Sequence, residues 1–386
     1  MKGRASSARC KLGGVVAAVA VMGVLTACAA QPAASTDAQG AASSAEPIVD
    51  AAHWESQYPD QYQSYQEAGH AAYAHDGATG KVNAHVDVMN PPPDYPAPFM
   101  TGCLSCHSSA YQSVLMEGLG DDLFAADVET VKDMIDTGIT CYSCHENDPG
   151  SLTPVNRWVL DAAEQGGIET SDGNMVCGQC HSMGDFSKQF SDPDSSTWSL
   201  LQVGLDPDDV WDYLVAEGNE TPIVPTAEVV FNNFLGSTHD KAGATCADCH
   251  AQTAVDEAGA SYTKHQWQSV GTDEALYENC LSCHSGSADD RKKAVEARQA
   301  DFSAGMADVQ ESIDALARAL EEATQAGSAD ADALARATTL LNKAVFYLAY
   351  GSDQSLGFHN MGDGSATVDC HETAREAAEE GLALLA

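Results

Sequence analysis

Asn174-Met-Val-Cys177-Gly-Gln-Cys180-His181 holds the pattern that decides the fold. The same C-x-x-C-H arrangement recurs at Cys103-Leu-Ser-Cys106-His107, Cys141-Tyr-Ser-Cys144-His145, Cys246-Ala-Asp-Cys249-His250 and Cys280-Leu-Ser-Cys283-His284. With 13 Cys and 13 His among 386 residues, chance supplies roughly 0.015 such motifs. Cysteines three apart share one side of a helical turn, so both sulfurs can bond the two vinyl groups of one porphyrin. The following His then meets the iron from the same side. Disulfides are the default for an exported chain, and paired Cys also hold zinc. Neither requires a His directly after every second Cys. The motifs are therefore read as attachment sites for five covalent haem c groups. They use ten of the 13 Cys, leaving Cys10, Cys28 and Cys370.

Upstream, Lys2, Arg4, Arg9 and Lys11 precede an apolar stretch, residues 12–25, too short to span a bilayer comfortably. Leu25-Thr26-Ala27-Cys28 fits a lipobox. The expected organisation is a lipoprotein signal at 1–27, lipidated Cys28 and a flexible tether at 28–48, then a pentahaem domain at 49–286 and a long-helix region at 287–386. This places the protein outside the cytoplasm, on a lipid anchor. The formal charge is −39, and residues 1–27 hold four of the 18 Lys and Arg and no acid, so removing them gives −43. Such a field repels nucleic acid and attracts basic partners. It equally serves solubility.

Only 7% of residues are aromatic, so porphyrin plates are expected to fill much of the core, and the chain is not expected to fold without them. Turn signals at Asp192-Pro193, Asp206-Pro207 and Thr221-Pro222 make residues 182–245 loops and short helices rather than sheet. The fold class is mainly α, a multihaem cytochrome c followed by long helices. Val295, Phe302, Met306, Val309, Ile313, Leu316 and Leu320 recur at helical spacing. After a turn at 327–330, Leu334, Leu340, Leu341, Val345 and Leu348 form a second run. Periodicity alone leaves open packing on the haem domain or a homodimer interface.

Eight His lie outside the motifs: His53, His70, His75, His85, His239, His265, His359 and His371. Beside five haems they are candidate second iron ligands. Here the sequence resembles the pentahaem ammonia-forming cytochrome c nitrite reductase family, over about residues 57–361. The resemblance rests on Gln57–Tyr65, Asn174–His181, Thr238-His239, Cys246–His250, Tyr262-Thr-Lys-His265, Asn279–His284 and Gly357-Phe-His-Asn360. It implies His265 as distal ligand of the second haem, His359 of the fourth and His239 of the fifth. It gives the third haem a His upstream of the first motif, for which His85 is chosen ahead of His75 and His70. His371 has no counterpart and is read as a surface residue. The chain ends soon after His359, without the family's longer tail.

The likeness breaks at the chemistry. His107 stands where the family usually has Lys. Ser182-Met183 follow the third motif where the family has Glu-Tyr for calcium and substrate. Eleven residues before His239, where the catalytic His belongs, stands Glu228, and the calcium-site Lys and Gln fall on Pro225 and Ala227. Residues 82–102 contain no Arg or Lys for an anionic substrate. Nitrite reduction needs cations and proton donors facing the iron. No catalytic residue is assigned and no calcium is expected. The leading reading is an electron carrier between a membrane quinol-oxidising or small cytochrome and an extracytoplasmic reductase such as a flavoprotein. The alternative is a nitrite-reductase-like enzyme acting at the first haem. A surface haem protein for storage or metal reduction ranks third. In each case the mass of the mature protein should exceed that of the bare polypeptide by roughly 3 kDa, the weight of five haems. A mass spectrum of bare polypeptide would sink this reading.

Overall fold

In the computed structural model, which describes residues 47–68, 85–86, 102, 104–117, 131, 137–182, 184, 199–216, 229–268, 270–271, 273–327, 330–352, 356–362 and 364–386, many short helices precede three long ones. Helix α1 is Pro59–Ala68, its proline at the first position where a missing N–H is harmless. There follow α2 (Leu104–His107), α3 (Ser109–Met116), α4 (Tyr142–His145), α5 (Arg157–Gln165), α6 (Asp172–Gly178), α7 (Pro207–Ala216), α8 (Val230–Phe234), α9 (Thr238–Lys241) and α10 (Cys246–His250). Serine starts three of these. The side chains of Ser108, Ser171 and Ser237 accept from the backbone N–H of Tyr111, Asn174 and Asp240. Thr245 and Asp248 form a capping box on α10. The fifth motif lies on 3-10 turns over Glu274–Ser282.

One hairpin departs from the all-helical expectation for the haem region. β1 (Thr253–Val255) pairs antiparallel with β2 (Ser261–Thr263), Thr253 opposite Thr263. Its turn is tied by Asp256, whose carboxylate accepts from Ala260 N at 2.7 Å, and by Gly259 at φ +85°. Within 182–245 the described residues hold short helices, with one isolated bridge between Gly184 and Ser199.

The C-terminal third has its own apolar core. α11 (Ala288–Ala326) has 39 residues, about 58 Å at helical rise. Ser287 and Asp290 cap its start reciprocally, and Gly327 at φ +64° ends it. Asp330 caps α12 (Ala331–Tyr350). The turn falls where the sequence puts it. A third helix, α13 (Cys370–Leu385), corrects the reading that little follows His359. Its buried face, Cys370, Ala374, Ala377, Ala378 and Gly381, is small enough for close approach. A Cβ on Gly381 would lie 2.6 Å from Leu316 Cδ2. Val309, Ile313, Leu316 and Leu320 of α11 meet Ala344, Phe346 and Tyr347 of α12 there. α12 thus packs chiefly on helices, and reaches the rest of the protein where Tyr347 donates to Asp208 and Tyr350 donates to Leu205 O at 3.2 Å. This bundle has a core built from side chains alone.

His371 is half-buried rather than on the surface, its ring 4.5 Å from that of Phe302. Cys370 is buried in the bundle, and burial pushes its thiol up to about 12. Among the described residues no helix is long and apolar enough to cross a membrane. Those residues belong to one unit, Glu46–Ala386, and the expected signal and lipidated Cys28 lie outside them. Leu316→Ala should lower stability by about 2–5 kcal/mol through an unfilled cavity. Denaturant unfolding followed by far-UV circular dichroism checks it, and an unchanged midpoint would refute the packing.

Candidate functional site: paired histidines around five motifs

His107, His145 and His250 close α2, α4 and α10, and His181 and His284 close helical turns with backbone bonds to Cys177 O and Cys280 O. Among the described residues, four of these rings face a second imidazole. His145 meets His265 with centroids 6.2 Å apart, His181 meets His85 at 6.3 Å, His250 meets His359 at 6.0 Å and His284 meets His239 at 6.2 Å. No hydrogen bond between imidazoles spans that gap. One metal does, because two metal–imidazole bonds of about 2 Å on opposite faces place the centroids about 6 Å apart. The spacing fits a haem iron with both axial positions filled. His107 closes α2, half-buried. His53 is exposed, edge-on to Trp54 at 4.9 Å. Cys103, His70 and His75 lie outside the described residues, as do Glu228, Pro225 and Ala227.

The second nitrogen of several rings is anchored. His145 Nδ1 is 2.6 Å from Ser151 O, His250 Nδ1 is 2.9 Å from Gln268 O and His265 Nδ1 is 2.9 Å from Thr263 O. Donation from Nδ1 to a carbonyl leaves Nε2 with the lone pair a metal needs. Burial also lowers His239, His250 and His265 below the ordinary imidazole range, favouring the neutral, ligating form.

Distant segments set the facing rings. His265 leaves β2 and its N–H donates to Ser64 Oγ of α1 at 3.0 Å. Trp267, at φ +47°, stands edge-on to the His265 ring. The His85 carbonyl accepts from Ile139 N at 2.9 Å, and Gly138 lets that strand pass, since a Cβ there would lie 2.6 Å from Val86 O. His239 and His359 are brought close by a backbone bond from Thr238 N to Met361 O at 2.7 Å. The Phe358 ring lies 5.4 Å from His239, and that of Phe234 stands edge-on to His359. Ser64, Gly138, Trp267, Phe234 and Phe358 carry no local sequence signal, because their roles exist only through contacts far along the chain.

The motifs touch one another. The Cys106 and Cys180 sulfurs lie together, and as a hydrogen-bonded thiol pair Cys106 is held below the usual range and Cys180 well above it. Cys246 is likewise pushed up by Cys177 and burial, and its N–H donates to Asn174 Oδ1 at 3.1 Å. Asn279 Nδ2 donates to Ala251 O at 2.7 Å, tying the fifth motif to the fourth. No disulfide competes among the described cysteines.

The family model described as Cytochrome c552 matches residues 69–385. The chain belongs to the cytochrome c552 family. It therefore carries covalently bound c-type haem. The match reaches beyond residue 361 and takes in α13. The cytochrome c nitrite reductase subunit NrfA of Nitratidesulfovibrio vulgaris is 25% identical over 293 residues, 67% of this chain and 55% of that protein. The cytochrome c-552 of Maridesulfovibrio salexigens is 24% identical over 226 residues, 53% of this chain and 44% of that protein. The chain thus spans about half the length of the curated relatives it matches. Its fold is similar to the catalytic subunit of the Desulfovibrio desulfuricans cytochrome c nitrite reductase, with TM-score 0.68, 21% identity, and coverage of 88% of this chain and 86% of that one.

Gly138→Ala should displace His85 from His181 and convert one haem from low-spin to high-spin, without loss of haem mass. EPR of the oxidised protein checks it, and a wild-type spectrum would refute the contact.

Proposed function

We propose that this protein is an extracytoplasmic pentahaem electron-transfer cytochrome. The observation that carries the reading is the set of facing imidazoles: haems held between these four pairs would exchange electrons and offer no open site for a substrate. Bound haem supplies reversible one-electron chemistry. The chain supplies His265, His85, His359 and His239 as second ligands, apolar walls such as Phe234 and Phe358, and a contiguous path of motifs. The absence of cationic and proton-donating residues at the family's catalytic positions argues in the same direction. So does a charge of −43, which disfavours an anionic substrate.

On this reading Cys28 anchors the chain to the outer face of the cell membrane. A quinol-oxidising or small cytochrome supplies electrons, and a separate reductase, such as a flavoprotein, accepts them. The acidic surface suits basic partners, and α11 offers a face for a second copy of the chain.

A second reading is supported by the fold's likeness to a nitrite reductase catalytic subunit: a reductase whose substrate binds at the haem of Cys106 and His107. The two differ in a measurable way. The electron-transfer reading expects only low-spin ferric signals at low temperature, and no ammonium from nitrite with a strong reductant. A high-spin signal with nitrite-dependent turnover would overturn it in favour of the second.

A further inference from the structure

The residue just before the second Cys of each of the first three motifs is Ser105, Ser143 or Gln179, and all three are at most 2% exposed. Nothing in haem attachment calls for a polar side chain there. They lie in one hydrogen-bonded block. Gln179 Oε1 accepts from Val155 N and Asn156 N, both at 2.8 Å, and its Nε2 donates to Ser143 O at 2.7 Å. Asn156 Nδ2 donates to Ser105 O and Gln179 O, both at 3.0 Å. Gln112 Nε2 donates to Ser105 O at 2.8 Å, and its Oε1 accepts from Ser143 Oγ at 2.6 Å. The same amides lie against the attachment sulfurs: Asn156 Nδ2 is 3.7 Å from Cys106 Sγ, and Gln112 Nε2 is 3.9 Å from Cys180 Sγ.

We propose that Gln179, Asn156 and Gln112 are positioning residues that bolt the first three haem-attachment turns into one rigid block and hold amide dipoles against two of their sulfurs. The inference deepens the electron-transfer reading, because transfer between haems depends steeply on their separation and on how little the surroundings move. A fully buried, nearly satisfied polar network supplies that rigidity where apolar packing would allow sliding. The cost of breaking it is high, since removing Gln179 takes the donor from Ser143 O and the acceptor from the N–H groups of Val155 and Asn156. Asn156 serves here as a donor, for its Oδ1 has no hydrogen-bond partner among the described residues. The fourth and fifth motifs stand outside the block. Ala247 and Asp248 fill the fourth motif's middle positions, and the Asp248 carboxylate is spent capping its own helix at Thr245.

The test compares haems within one molecule. Gln179→Met keeps the side-chain length and removes both ends of its hydrogen bonding. Potentiometric titration followed by EPR should then show shifted potentials and broadened signals for the haems at His107, His145 and His181, and unchanged ones for those at His250 and His284. Haem mass should stay complete. Asn156→Leu should shift the same three, and the double variant should shift them by less than the sum. If Gln179→Met does not fold, Ser143→Ala, which cuts only the hydroxyl links, should broaden the haems at His107, His145 and His181 and leave those at His250 and His284 unchanged. Equal shifts in all five haems, or none in a folded variant, would overturn the proposal. Since the comparison is between haems and not of turnover, its result is independent of whether the wild-type protein reduces nitrite.

Discussion

Everything in the haem region depends on pairs of imidazoles held about 6 Å apart, each pair joining segments remote along the chain. His145 and His265 are 120 positions apart, and His239 and His284 are 45. Closing such loops costs entropy that grows only slowly with their length. A metal bond at the closure would offset it, and long turn-rich connections would then be tolerated between short helices. Porphyrin plates held there would take the place that sheets or long helices occupy in other cores, and the polypeptide between motifs would need only enough structure to aim a ring.

Two kinds of interior therefore share one chain. Around the motifs the side chains are mixed, and buried serines and amides are numerous. In the bundle of α11, α12 and α13 the interior is apolar and close-packed, with alanines and glycine on α13 admitting Leu316. The two meet where α12 donates hydrogen bonds to the α7 region. A bundle that stands on its own core gives the haem region a firm wall, and the Arg298 guanidinium, donating to Gly357 O at 2.9 Å, fastens the segment that presents Phe358 and His359.

The relation to the nitrite reductases is one of scaffold. The resemblance in sequence rests on the attachment turns, the hairpin leading to His265 and the loop presenting His359. The groups that would feed protons and an anion to an iron are those it lacks. On the proposed reading, a scaffold that keeps the wiring without the proton supply passes electrons onward.

The sequence by itself determined the attachment chemistry, because C-x-x-C-H is a local pattern whose geometry is complete within one helical turn. It also determined the long helices and the turn at Gly327, since period and caps are local too. It could not reveal α13, whose buried face is mostly alanine and glycine and gives little apolar rhythm, nor the short hairpin. That Gly138 must lack a side chain, that Ser64 steadies His265 and that three motifs share one buried network were decided only by the tertiary structure. Each of those roles is a contact between residues far apart in the chain, and such contacts leave no spacing to read.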